Sequence, residues 1–121
     1  MEPLFRDGKW INWYKNGRKH YVDNYNDGER DGKQIIWYEN GQKEYENNYN
    51  DGEQSGKWIE WYMNGVKRSE GNMQYGEMSG KWTFWWPNGQ KELECDFDFG
   101  NPVGSVKIYH DSGVLKKNIN F

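Results

Sequence analysis

Alanine is absent from this 121-residue chain, leucine is scarce, and cysteine occurs once. Alanine and leucine are among the strongest helix formers, so their lack argues against a helical fold. A lone Cys95 excludes a disulfide framework within the chain. No apolar run reaches signal-peptide or membrane-spanning length, so the chain reads as cytoplasmic. An excess of positive charge is missing too: 16 basic against 19 acidic residues leave a net charge of -3. Nucleic-acid binding, which needs a basic stripe, is therefore not expected. That charge also offers anionic lipid little attraction, so membrane association is disfavoured. With 34% apolar residues and a mean hydropathy of -1.28, composition alone would suggest disorder.

Rings overturn that suggestion. Eight Trp, nine Tyr and five Phe make 18% of the chain. Each ring buries roughly 150–250 Å², so a few per segment replace many aliphatic side chains. Glycine falls at regular intervals, which also favours an all-β chain.

The intervals are 24 residues long. Four full units align at 7–30, 31–54, 55–78 and 79–102, and a shortened fifth unit spans 103–121. Such repeats are small supersecondary units, each unable to bury its apolar face alone. Asn-Gly recurs at Asn16-Gly17, Asn40-Gly41, Asn64-Gly65 and Asn88-Gly89, with Ser112-Gly113 in the last unit. Between two strand-forming runs this dipeptide predicts a two-residue type I′ hairpin turn with positive φ at both positions. A second, looser turn is expected at Asp27-Gly28, Asp51-Gly52, Tyr75-Gly76 and Phe99-Gly100. The reading is an elongated, single-layer antiparallel β-meander of about ten strands, in about five hairpin repeats.

Pairing across the first turn sorts side chains between two faces. One face collects Trp10, Tyr14, Tyr21, Tyr38, Tyr45, Tyr49, Trp58, Tyr62, Trp82, Trp86, Leu93 and Phe97; the other collects Ile11, Trp13, Ile35, Trp37, Ile59, Trp61, Thr83 and Trp85. Rings on both faces are unusual for a sheet with one solvated side. Either twist curls neighbouring rings together, or a bulge changes the register. With a two-residue turn, Lys19, Lys43, Lys67 and Lys91 would lie opposite Tyr14, Tyr38, Tyr62 and Trp86 in cation–π contact. Asn24, Asn48, Asn72, Asp96 and Asn120 form a polar column suited to repeat-to-repeat hydrogen bonds. At the ends, Pro3 limits strand pairing, Leu4 and Phe5 fold over the first hairpin, and Lys116 and Lys117 protect the last strand's edge.

The recurring Gly-Lys-Trp opening, aromatic pair, Asn-Gly turn and closing Asp-Gly-Glu resemble the MORN-repeat family, in particular its bacterial variant repeats. The resemblance covers residues 7–121 and treats 1–121 as one MORN-like repeat domain. Departures fall at Gln34, where other units have Trp, at Ser69 and Met73, and at Val106, His110 and Leu115 in a cap-like last unit. The resemblance implies a single-layered β-meander and an interaction or scaffold module. It also implies an antitoxin or immunity-like partner of a toxin as one specific role.

Chemistry finds no foothold. His20 and His110 occupy non-equivalent positions, and no cysteine joins them in a zinc pattern. Cys95 reads as a buried sheet residue. Asp27-Gly28-Glu29-Arg30-Asp31-Gly32 lacks a calcium loop's alternation and is explained by turn chemistry. Glu44/Glu46 and Glu92/Glu94 are strand carboxylates without a cleft. No catalytic, cofactor or metal residue is assigned. The expected function is a non-enzymatic protein-binding module, with a carbohydrate or cell-wall binder or a lipid-associated scaffold as alternatives. The candidate surface is Trp13, Trp37, Trp61, Trp85 and Tyr109, together with Tyr14, Tyr38, Tyr62 and Trp86.

Overall fold

A computed structural model describes residues 6–121. Among them there is no helix and one open antiparallel sheet. The strands are β1 (Gly8–Trp13), β2 (Lys19–Asn26), β3 (Glu29–Arg30), β4 (Gly32–Trp37), β5 (Lys43–Asn50), β6 (Glu53–Gln54), β7 (Gly56–Trp61), β8 (Lys67–Gln74), β9 (Glu77–Trp85), β10 (Lys91–Asp98), β11 (Asn101–Tyr109) and β12 (Leu115–Asn120). Ten follow one another across the sheet in chain order, while β3 and β6 are short pieces paired with β2 and β5. At about 4.8 Å per strand, nine steps span roughly 45 Å. The meander matches the sequence reading. The expectations for Pro3, Leu4 and Phe5 lie outside the described residues.

The two turn types are the reverse of the expected ones. Tyr14 N donates to Arg18 O at 2.8 Å and Gly17 N to Tyr14 O at 3.0 Å, so the Asn-Gly loop is Lys15-Asn16-Gly17. Only glycine has positive φ there: 87° at Gly17, 90° at Gly41, 86° at Gly65 and 89° at Gly89. This is the three-residue hairpin loop closed by a left-handed glycine. The asparagine has another task. Asn16 Oδ1 accepts from Arg18 N at 2.9 Å, and its Nδ2 donates to Glu39 O of the next repeat at 3.1 Å. The two-residue turn with positive φ at both positions is the second one, Asp27 (50°) and Gly28 (85°), between the paired residues Asn26 and Glu29.

A longer first loop changes the pairing. Each hairpin closed by such a loop carries an irregularity beside it, as where His20 is left unpaired between Trp13–Lys19 and Asn12–Tyr21. Lys19, Lys43, Lys67 and Lys91 therefore pair with Trp13, Trp37, Trp61 and Trp85. They are not opposite Tyr14, Tyr38, Tyr62 and Trp86. A bulge, of the two alternatives left open, is present in every hairpin of this kind.

Most of the core lies on one face, while Ile59, also buried, lies on the other beside Glu70. The column through Trp10–Asp23, Gln34–Asn47, Trp58–Gly71 and Trp82–Cys95 runs across the strands and continues at Val106–Ile119. Asp23, Gln34, Asn47, Trp82, Cys95 and Val106 are all buried in it. In three of these pairs, Trp10–Asp23, Trp58–Gly71 and Trp82–Cys95, a ring faces a smaller residue, which leaves room for it to lie over its neighbours. Trp82 covers Gly71 so closely that a Cβ there would meet the ring at 2.1 Å. Tyr45 packs edge-on to Trp58, and Trp58 in turn meets Trp82. Gln34 replaces a Trp because its neighbours are polar: Nε2 donates to Asp23 at 3.3 Å, and Oε1 accepts from Tyr45 at 3.0 Å.

Repeats are tied at both ends. Gly52 N donates to Arg30 O at 2.8 Å and Gly76 N to Gln54 O at 2.9 Å, linking successive second turns. In the polar column, Asn24 Nδ2 donates to Lys33 O at 2.7 Å and Asn48 Nδ2 to Lys57 O at 3.0 Å. These bonds cross from one repeat to the next, as that column suggested for its first two members.

Candidate functional site

Strand alternation sends adjacent residues to opposite faces. The nine candidate residues therefore separate into two rows with different work. Tyr14, Tyr38 and Tyr62 lie just beyond strand ends, on the core side. Their hydroxyls donate to the carbonyls of Trp37, Trp61 and Trp85 at 2.6, 2.7 and 2.7 Å. Trp86 repeats the bond with its indole N–H, to Tyr109 O at 3.2 Å. Tyr14 also stacks on His20 with ring centroids 4.3 Å apart. Burial raises the Tyr38 and Tyr62 hydroxyls above the ordinary phenol pKa, with Glu44 and Glu92 respectively adding to the effect. These four residues are inter-repeat fasteners. Their polar tips are already occupied by the next repeat.

Trp13, Trp37, Trp61, Trp85 and Tyr109 form the other row, on the face away from the core. Pairing interleaves it with lysine: Trp13–Lys19, Trp37–Lys43, Trp61–Lys67 and Trp85–Lys91, ending in Tyr109–Leu115. The pairing of these lysines with the Trp row escaped the sequence reading because the assumed loop was one residue too short. Trp13 is 56% exposed, and its counterparts are half-buried. Lys43 reaches across to the next repeat, with Nζ 5.8 Å from the Trp61 ring centroid.

A second charged row flanks the first. Glu46 bridges Lys33 and Lys43 at 3.4 and 3.5 Å, and Glu70 bridges Lys57 and Lys67 at 3.5 and 2.8 Å. Glu94 bridges Lys81 and Lys91 in the same way. Hydrogen bonds from Lys67 and Lys91, outweighing burial, hold the Glu70 and Glu94 carboxyls below the usual carboxylate range. In the first unit Val22 stands where these glutamates stand, so Lys9 and Lys19 have no carboxylate between them on this face. The body of the face is therefore locally cationic, although the whole chain carries -3. Between the third and fourth units it opens into a groove of about 560 Å³, lined by Lys57, Glu70, Lys81, Trp85, Lys91 and Glu94 among others.

Residues that could do chemistry lie apart. Among the described residues no three His, Cys, Asp or Glu side chains come together as a metal site. Cys95 is buried, its thiol donating to Asp96 O at 3.3 Å, and burial raises its pKa above the ordinary thiol value. A protonated, enclosed thiol is a poor nucleophile. Asp27-Gly28 is a turn, with Asp27 in the left-handed region at φ 50°.

The profile of a family described as MORN repeat variant matches residues 30–51, 78–98 and 102–121, together just over half of the chain. Each matched stretch covers strands and turns of the sheet described above. No curated protein matches the chain.

Proposed function

Since the chain belongs to the MORN repeat variant family, whose repeats are generally protein- or membrane-lipid-binding modules and not typically enzymes, we propose that it is a non-enzymatic protein-binding module. Its binding surface is the alternating row of Trp13, Lys19, Trp37, Lys43, Trp61, Lys67, Trp85 and Lys91. The observation that carries this reading is the division of labour between rows. The Tyr14 row spends its polar tips on the fold, whereas the Trp13 row faces outward beside a line of solvated ammonium groups. Large amphipathic rings supply contact area at low entropic cost, and Trp is enriched among binding hot spots. Within the protein-binding class we take the partner to be a toxin, which this chain neutralises by covering part of its surface. That finer role draws on the family resemblance.

Local charge favours one second reading. A face with two lysines and no carboxylate in its first unit, and outward-facing Trp throughout, also suits an anionic membrane surface. One triple variant addresses both readings. Trp13→Ser with Lys9→Glu and Lys19→Glu alters the first unit, where Val22 leaves no carboxylate to repel the new ones. Wild type and variant are used as bait in extract of the native host and are sedimented with phosphatidylserine-containing vesicles. The protein-binding reading expects a specific protein retained by wild type and lost by the variant, with no vesicle binding. Salt-sensitive vesicle binding lost in the variant supports the lipid reading, and equal retention by both baits overturns this surface.

A further inference from the structure

The second-turn edge carries two rings where the first two units carry aspartate. Asp27, Asp51, Tyr75 and Phe99 occupy the same turn position and all have left-handed φ, at 50°, 48°, 51° and 48°. A short polar side chain tolerates that conformation, whereas a bulky ring is a genuine outlier there. The fold gains nothing visible in return. Tyr75 is 73% exposed and Phe99 72%, and neither ring stacks on another ring or on a cation among the described residues. Bonds from Gly76 N to Gln54 O at 2.9 Å and from Gly100 N to Met78 O at 3.1 Å fix the two turns in line. Successive hairpin turns lie about 10 Å apart, two strand spacings.

Carboxylates alternate with these rings. Glu77 lies along Gly100, its side-chain atoms 3.7–3.8 Å from where a Cβ would be, and so fills the interval between the two turns. Asp98 precedes Phe99, and Asp51 and Glu53 occupy the adjoining turn. None of the four forms an ion pair among the described residues. An anionic edge repels nucleic acid and anionic lipid alike. It suits a polypeptide that offers guanidinium or ammonium groups to ring faces and carboxylates together, with apolar side chains between them.

We propose that Tyr75 and Phe99, framed by Asp51, Glu53, Glu77 and Asp98, form a second docking site, taking a cationic, partly apolar polypeptide segment. It lies on a turn edge, apart from the Trp–Lys face, and does not depend on that reading. The test titrates the full chain with a fluorescein-labelled peptide of alternating arginine and leucine, followed by anisotropy. The matching glutamate–leucine peptide and phosphatidylserine vesicles serve as comparisons. Tyr75→Asn with Phe99→Asn should fold with an unchanged or higher melting temperature, since asparagine tolerates the left-handed conformation. It should also weaken binding of the arginine peptide about tenfold or more. Glu77→Gln with Asp98→Asn should weaken binding several-fold and flatten its salt dependence. The site is overturned if the arginine peptide does not bind, or if it binds the Asn variant as tightly as wild type. Loss of stability in the Asn variant, or equal binding of the glutamate peptide or the vesicles, overturns it too.

Discussion

Tyr38 donates its hydroxyl to the backbone carbonyl of Trp61 at 2.7 Å, across 23 residues and from one repeat to the next. The same bond recurs from Tyr14 and Tyr62. Tyr38→Phe keeps the ring and removes the fastener. A net hydrogen bond is worth about 0.5–1.5 kcal/mol, so the variant should lose about 1 kcal/mol in a denaturant titration. Retention of full stability would show that this ring works by packing alone.

Asn40 uses both ends of its side chain. Oδ1 accepts from Gln42 N at 2.9 Å, closing its own loop, and Nδ2 donates to Met63 O at 3.0 Å in the next repeat. Asn40→Ala should cost about 1–2 kcal/mol. Asn40→Asp, which keeps the acceptor and loses the donor, should fall between alanine and wild type. Equal stability of Asp and Asn at this position would mean that the tie to Met63 contributes nothing.

Gly71 and Gly65 are glycines for different reasons. A Cβ on Gly71 would lie 2.1 Å from Trp82 Cδ2, and that ring is pinned by its N–H bond to Asn72 O at 3.0 Å. Gly71→Ala is therefore an overpacking change, expected to cost about 1–3 kcal/mol or more. Near-UV circular dichroism should report the displaced Trp82. Gly65 has φ 86°, so Gly65→Val meets backbone strain instead and should destabilise the third hairpin. An unaltered melting curve for Gly71→Ala would contradict the Trp82 packing.

The glutamate bridges give the open face a pH dependence. Hydrogen bonding from Lys67 and Lys91 lowers the Glu70 and Glu94 pKa values in the folded chain, so folding favours their ionised forms. Their contribution is complete above the ordinary carboxylate pKa of about 4.3 and disappears as pH falls through the lowered folded values. Lys91 moves the other way: its hydrogen bond to Glu94 raises its pKa, so its share is complete at neutral pH and is lost only in strong alkali. The lysines are solvated, which keeps each pair below about 1 kcal/mol. Glu94→Gln should accordingly flatten the acid limb of a stability–pH curve below the ordinary carboxylate pKa. A parallel curve for the variant would rule out the bridge as a contributor.

Much of this architecture could be read from the residues. The 24-residue spacing of Asn-Gly, Asp-Gly and paired rings specified the meander, and alternation along Ile35, Ile36 and Trp37 separated the faces. Loop length could not be read, because Asn-Gly serves a two-residue turn and a three-residue loop with a left-handed glycine equally well. That one residue moved every lysine from Tyr14 and its counterparts to Trp13 and its counterparts. It also hid the asparagine's second bond, which goes to a chain segment 23 residues away. Gln34 looked like a lost tryptophan because its reason, the buried Asp23 beside it, lies on another strand. The need for glycine at position 71 leaves no local mark in the sequence, because Trp82 reaches it only after folding. The charge of the outer face was invisible in a total of -3, since strand pairing, not composition, gathers the lysines together.

Register is the claim on which the outward Trp–Lys row depends, and cross-strand nuclear Overhauser contacts measure it directly. The account expects contacts of Trp13 with Lys19, Trp37 with Lys43 and Trp61 with Lys67, together with slow exchange of the Tyr14, Tyr38 and Tyr62 amides bonded across the loop. Contacts of Lys43 with Tyr38 in place of Trp37 would contradict it, because the lysines would then share the fasteners' face and the alternating row would not exist.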